Sequence, residues 1–135
     1  MQSPSSIDHL GIAVHSIEEA SRFYRDVLGL ECEGTEEVAG QKVRVAFFQV
    51  GEVRVELVEP AADDSPIRKF LDKRGPGLHH IAYRVADLPA VLSELKASGT
   101  RLIDETPRDG AHGMKIAFVH PASTGGVLTE FCQQV

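Results

Sequence analysis

The sequence predicts an α+β protein in which two tandem βαβββ modules form a curved sheet around a cleft. Three observations lead there. The stretch Ile7-Asp8-His9-Leu10-Gly11-Ile12-Ala13-Val14 returns as Leu78-His79-His80-Ile81-Ala82-Tyr83-Arg84-Val85, placing His80 71 residues after His9. The same offset lays Ala117-Phe118 on Ala46-Phe47, and an offset of 74 lays Glu130 on Glu56. Each copy also reads as one alternating strand, one amphipathic helix and three further strand-like runs. Self-similarity of this kind marks two copies of one unit of roughly 70 residues.

The totals set limits on partners and compartment. A chain of 135 residues suits one domain, with module one at 7–59, a linker at 60–77 and module two at 78–133. At 42% hydrophobic and 25% charged, the composition is that of a globular protein. A net charge of −6 without any Lys/Arg run argues against nucleic acid as a partner. No apolar run reaches the roughly 18–20 residues that a membrane span needs. Met1 to Ser6 lacks the basic and apolar regions of a signal peptide and reads as a polar lead-in that frays. Two cysteines, Cys32 and Cys132, are too few for a disulfide framework, and free thiols suit a cytoplasmic protein.

In module one, residues 7–14 alternate as a half-buried strand should. Leu10, Ile12 and Val14 form the face that packs under a helix, and His9, Gly11 and Ala13 face the cleft. Ser16 caps the helix and Glu19 completes a capping box. Ile17, Ala20, Tyr24, Val27 and Leu28 make its apolar stripe, and Gly29 ends it. Strands follow at 30–38, 42–50 and 53–59, with a turn at Gly51-Glu52 and Pro60 closing the last. The linker holds a short helix over 67–73, with Ile67, Phe70 and Leu71 inward, ended by Arg74-Gly75-Pro76-Gly77.

Module two repeats the plan. A strand at 78–86 turns Ile81, Tyr83 and Val85 to the helix side and His80 and Ala82 to the cleft. Asp87 caps a helix striped by Leu88, Val91, Leu92 and Leu95, and Gly99 stops it. A strand at 101–104 precedes a loop from Asp104 to Gly113. Strands at 114–119 and 127–133 finish the chain, joined by a turn from Pro121 to Gly126.

Alternation in the fourth strands sends Glu56 and Glu130 to the side opposite their packed neighbours. Two histidines and two glutamates, His9, Glu56, His80 and Glu130, are thereby predicted to converge. Two imidazole nitrogens and two carboxylate oxygens suit one borderline divalent ion, Zn²⁺, Co²⁺, Ni²⁺ or Mn²⁺. A calcium site would use oxygens alone. Alternation turns His79 away from this cluster. His15, His112 and His120 fall at strand ends or in loops, and only His112 is kept as an active-site neighbour.

These residues resemble the vicinal oxygen chelate (glyoxalase-like) superfamily, and within it the methylmalonyl-CoA epimerases. The resemblance runs from Ile7 to Gln133. It is carried by Ile7 to Val14, by Glu56-Leu57-Val58-Glu59-Pro60 with Asp64-Ser65-Pro66-Ile67, by Gly77-Leu78-His79-His80-Ile81-Ala82, and by His120-Pro121 through Gly126 to Glu130. It implies that His9, Glu56, His80 and Glu130 hold one divalent metal ion. It also implies that Glu130 is the catalytic base, that the substrate is an acyl-CoA thioester, and that the protein is a homodimer.

The implied reaction inverts C2 of methylmalonyl-CoA through an enolate, within a cleft lined by Val45, Phe47 and Ile116 that keeps water out. Some bacterial members carry a third-strand glutamate as a second base, and Val45 stands at that position here. Arg68, Lys69, Lys73 and Lys115 are candidates for the CoA phosphates. Two alternatives accompany this reading. One is a glyoxalase I-type lyase, which needs the same ligands. The other is a metal-free binding module of the resistance-protein type, which the complete His/Glu set argues against.

Overall fold

The computed structural model describes residues 3–135; Met1 and Gln2 of the lead-in lie outside the described residues. The lead-in does not fray as far as expected. The Ser5 amide donates to the Arg84 carbonyl at 2.9 Å, and β1 starts at Ser6. A strand's open carbonyl satisfies an amide that would otherwise be left to water.

The chain divides into two compact units, His9–His79 and a second that joins the chain up to Asp8 to His80–Val135. The first contains most of β1 (Ser6–Ala13), α1 (Ile17–Ser21), β2 (Cys32–Val38), β3 (Val43–Val50), β4 (Val53–Pro60) and α2 (Pro66–Arg74). Its strands run in the order β2-β3-β4-β1, with β1 parallel to β4 and the other pairs antiparallel. The second unit contains most of β5 (Gly77–Arg84), with α3 (Leu88–Ala97), β6 (Arg108–Asp109), β7 (Lys115–Val119) and β8 (Thr129–Gln133). Its order is β5-β8-β7-β6, with β5 parallel to β8.

Alternation sorts each half-sheet into a helix face and an opposite face. In the first unit, Val14, Ala46, Phe48 and Leu57 form the cluster under α1, with Ile12, Ile17, Ala20 and Tyr24 against it. In the second, Val85, Leu88, Val91, Leu92, Ala117, Val119 and Phe131 form the corresponding cluster under α3. The opposite face of the second half-sheet carries Ala82, Met114, Ile116, Phe118 and Cys132. Both cysteines are free thiols.

The two helices are anchored by equivalent residues. The Ile17 amide at the start of α1 donates to Glu59 Oε1 at 2.7 Å. The Leu88 amide at the start of α3 donates to Gln133 Oε1 at 2.6 Å. Each acceptor lies three residues beyond the glutamate of its strand, Glu56 or Glu130. First-turn amides lack intrahelical partners, so these bonds cap each helix from the strand beneath it. Ser16 and Asp87 cap in the expected way, accepting from the Glu19 and Ala90 amides.

Two further expectations fail. The first helix does not keep an α period to its end: Arg22–Val27 is π-helical, with the Leu28 amide reaching back five residues to the Phe23 carbonyl at 2.9 Å. The wider turn rotates the stripe, so Tyr24 still packs on Phe48 whereas Val27 and Leu28 point outward at 72% and 54% exposure. The strand expected at 101–104 shrinks to a single bridge, Leu102 to Val119. Asp104 Oδ2 accepts from the Phe118 amide at 2.8 Å, so a side chain takes the place of a ladder carbonyl there. The edge strand forms instead at Arg108–Asp109, inside the segment expected to be loop.

Leu57 is fully buried in the centre of the α1 cluster. Leu57→Ala is expected to cost about 2–5 kcal/mol of unfolding free energy in urea titration. A loss below about 1 kcal/mol would mean that this cluster is not close-packed.

Candidate metal centre and active site

In the first unit, parallel pairing sets Gly11 opposite Glu56. His9 lies two residues before Gly11 on β1, so alternation gives His9 and Glu56 the same face. The two side chains meet with His9 Nδ1 3.4 Å from Glu56 Oε2, and both are buried, at 7% and 5% side-chain exposure. Phe47 is the antiparallel partner of Glu56 on β3 and is itself buried.

The second unit builds the same arrangement from its own residues. Ala82 stands opposite Glu130, and His80 lies two residues before Ala82. His80 Nε2 approaches Glu130 Oε1 at 3.4 Å, again at 7% and 5% side-chain exposure. Phe118 is the β7 partner of Glu130, as Phe47 is of Glu56. Its ring meets the His80 imidazole edge-on, with centroids 5.5 Å apart and planes at 87°. Each unit thus presents one buried imidazole and one buried carboxylate in contact, at the places predicted from the repeat.

The pairs differ in one respect that the sequence reading did not weigh. Arg54 lies two residues before Glu56 on the same strand face, and its Nε and Nη2 both approach Glu56 Oε2 at 3.3 Å. The position two residues before Glu130 is Leu128. The i, i+2 spacing along an alternating strand is a signal that could have identified Arg54. Beside His9, the buried Asp8 carboxylate receives Arg84, with Nη2 to Oδ1 at 2.5 Å and Nε at 3.2 Å.

The remaining histidines have their own surroundings. His79 packs edge-on against Phe70 at 4.9 Å, and burial pushes it down to about 4, so it is neutral at pH 7. His120 Nδ1 accepts from the Ala122 amide, a local turn role. His15 is exposed, and so is His112, which occupies a left-handed backbone conformation at φ 59°. Val45, Phe47 and Ile116, expected as apolar lining, are all buried. Of the cations considered for phosphates, Lys115 is paired with Asp109, and Arg68, Lys69 and Lys73 lie on α2.

The donor set favours a divalent cation. Carboxylates desolvated to this degree are costly without a compensating positive charge. An imidazole beside each supplies a neutral nitrogen ligand of the kind that Zn²⁺, Co²⁺ and Ni²⁺ accept.

Comparison with known proteins places this arrangement in a lineage. A profile of the Glyoxalase/Bleomycin resistance protein/Dioxygenase superfamily matches residues 8–118. An uncharacterised protein of Bacillus subtilis is 52% identical over 94% of this chain and 91% of its own length. The mitochondrial methylmalonyl-CoA epimerase of Mus musculus is 38% identical over 94% of this chain and 72% of its own. A solved structure of a methylmalonyl-CoA epimerase in complex with methylmalonyl-CoA and NH4+ superposes with a TM-score of 0.94 at 37% identity, covering 98% of this chain and 96% of that one. The α+β fold of paired βαβββ units, the duplicated His–Glu pairs and these likenesses agree: the chain belongs to the glyoxalase/bleomycin resistance protein/dioxygenase superfamily.

Proposed function

We propose that this protein is a methylmalonyl-CoA epimerase that inverts C2 of its substrate with one divalent metal ion held by His9, Glu56, His80 and Glu130. The observation that carries the reading is the duplicated buried His–Glu contact, 3.4 Å in each unit. Two solvated glutamates would have no reason to recur at equivalent strand positions, each pressed against a histidine and screened from water. The substrate comes from the relatives: the mouse protein is named for this activity, and a solved epimerase of the same fold contains methylmalonyl-CoA.

The chemistry suits such a donor set. The C2 proton of methylmalonyl-CoA lies between a thioester and a carboxylate, and its removal spreads negative charge onto the thioester oxygen. A bound divalent ion supplies Lewis-acid stabilisation of that charge. The Glu130 carboxylate takes the C2 proton as general base. His80 beside it and Phe118 across from it restrict its rotamers and keep bulk water from the reacting carbon. Glu56 serves as ligand only, because Arg54 engages its Oε2. Val45 fills the third-strand position with a buried hydrocarbon, so this reading names Glu130 as the one side-chain base, and the proton that completes inversion is returned to the opposite face of C2 by a second acid or by a water held in the site.

Three outcomes test the proposal. His80→Ala is expected to lose both stoichiometric metal, measured by elemental analysis, and epimerase activity; retained metal with full turnover would overturn the ligand assignment. Arg54→Leu is expected to weaken metal binding by about 10–100-fold in a competition titration, since it removes the group that orients a ligand carboxylate. Metal-loaded protein given one epimer of methylmalonyl-CoA in D₂O is expected to introduce deuterium at C2 and to form the other epimer. Exchange no faster than in a chelator-stripped control would remove the epimerase reading.

A further inference from the structure

Arg108 is a cation for which the reading above has no use. It stands on the two-residue edge strand β6, opposite Ile116 of β7. In the other unit the corresponding place, opposite Val45, is taken by Glu36. The two copies have therefore put opposite charges at one position of a shared plan.

The guanidinium is held in place by an aromatic ring and a carboxylate. Its Cζ lies 5.7 Å from the centroid of the Phe118 ring, the same ring that meets His80 edge-on and belongs to the β7 partner of Glu130. Its Nε is 3.3 Å from Asp104 Oδ1, yet Nε is buried and makes no hydrogen bond among the described residues. Asp104 is already committed through Oδ2 to the Phe118 amide at 2.8 Å. The arginine side chain is 41% exposed, so its head can meet a ligand. The loop that follows is pressed onto the sheet: a Cβ at Gly110 would come within 2.7 Å of Ile116 Cγ2. A partly exposed guanidinium, fixed on the ring that also meets the His80 imidazole, is suited to receive a carboxylate.

We propose that Arg108 is a specificity-determining residue whose guanidinium receives the free carboxylate of a malonyl-type acyl thioester beside the His80–Glu130 pair. The inference rests on the epimerase reading and adds what makes the protein select a carboxyacyl over a plain acyl thioester. In such a substrate the carboxylate carbon is bonded directly to the reacting carbon. A group that recognises it must therefore lie near the catalytic carboxylate, whereas the CoA phosphates are separated from C2 by the whole pantetheine arm. The position of Arg108, one aromatic ring from His80, favours the carboxylate over the phosphates.

The test is a binding comparison on the metal-loaded full chain with two probes, methylmalonyl-CoA and propionyl-CoA, which differ by the carboxylate alone. The unsubstituted protein is expected to bind methylmalonyl-CoA more tightly. Arg108→Gln is expected to weaken methylmalonyl-CoA at least tenfold and to leave propionyl-CoA within twofold, and Arg108→Lys is expected to fall between. Retained propionyl-CoA binding shows that the variant is folded. Equal weakening of both ligands, or no change in either, overturns the proposal while the D₂O exchange of the unsubstituted protein still stands. If the unsubstituted protein shows no preference for methylmalonyl-CoA, carboxylate recognition is overturned as well. If it also shows no metal-dependent exchange, the epimerase reading fails with it.

Discussion

The parallel register between the first and fourth strands of each unit is the constraint on which the rest depends. Gly11 faces Glu56 and Ala82 faces Glu130, so His9 and His80, two residues earlier, emerge on the same side as the glutamates. A slip of one residue would send every side chain of the strand to the opposite face, burying imidazoles in the helix-side core and exposing Leu10 and Ile12. The register is held from both sides of the sheet. On one side the aliphatic clusters under α1 and α3 accept only one set of alternating residues. At the strand ends, Glu59 and Gln133 tie each helix start to the strand that bears the glutamate. The same alternation that builds the core therefore orients the histidines and glutamates.

Small residues opposite large charged ones complete the arrangement. Gly11 and Ala82 stand opposite the glutamates on one flank, and Phe47 and Phe118 on the other. The result is a carboxylate in each unit that is largely kept from water. Desolvation of this kind opposes stability, since an ion without solvent needs compensation. In the first unit Arg54 supplies part of it. The second unit has Leu128 at that position, and its Arg108 lies over the Phe118 ring and pairs with Asp104. The two halves match in plan but differ chemically at a few positions: Arg54 engages the Glu56 carboxylate, and Leu128 stands at the corresponding place before Glu130.

Much of the fold was legible because it depends on patterns with short range. The period of two in β1, β4, β5 and β8, the caps at Ser16 and Asp87 and the terminating glycines at 29 and 99 are all local signals. The contacts between His9 and Glu56 and between His80 and Glu130 followed from the repeat, which compares distant segments without requiring knowledge of their packing. The α1 ending was not legible, because Val27 and Leu28 keep helical spacing on paper. Only the packing of Tyr24 on Phe48, with the wide turn beyond it, decided that they face outward. The edge strand was misplaced for a related reason. Residues 101–104 have strand character, but Asp104 satisfies the β7 amide with its side chain, and pairing moves to Arg108–Asp109.

By itself, the sequence determined the duplicated α+β plan, the two half-sheets, and the matched positions of two histidines and two glutamates. Those follow from side-chain periodicity, a property of the backbone that any strand shares. The tertiary structure alone decided where the cations go. Arg54 was one charged residue on an alternating strand until its guanidinium was seen on Glu56, and Arg108 was one residue in an expected loop until β6 carried it to Phe118. A long flexible side chain can reach in many directions, and only the folded surroundings choose which carboxylate or ring it meets.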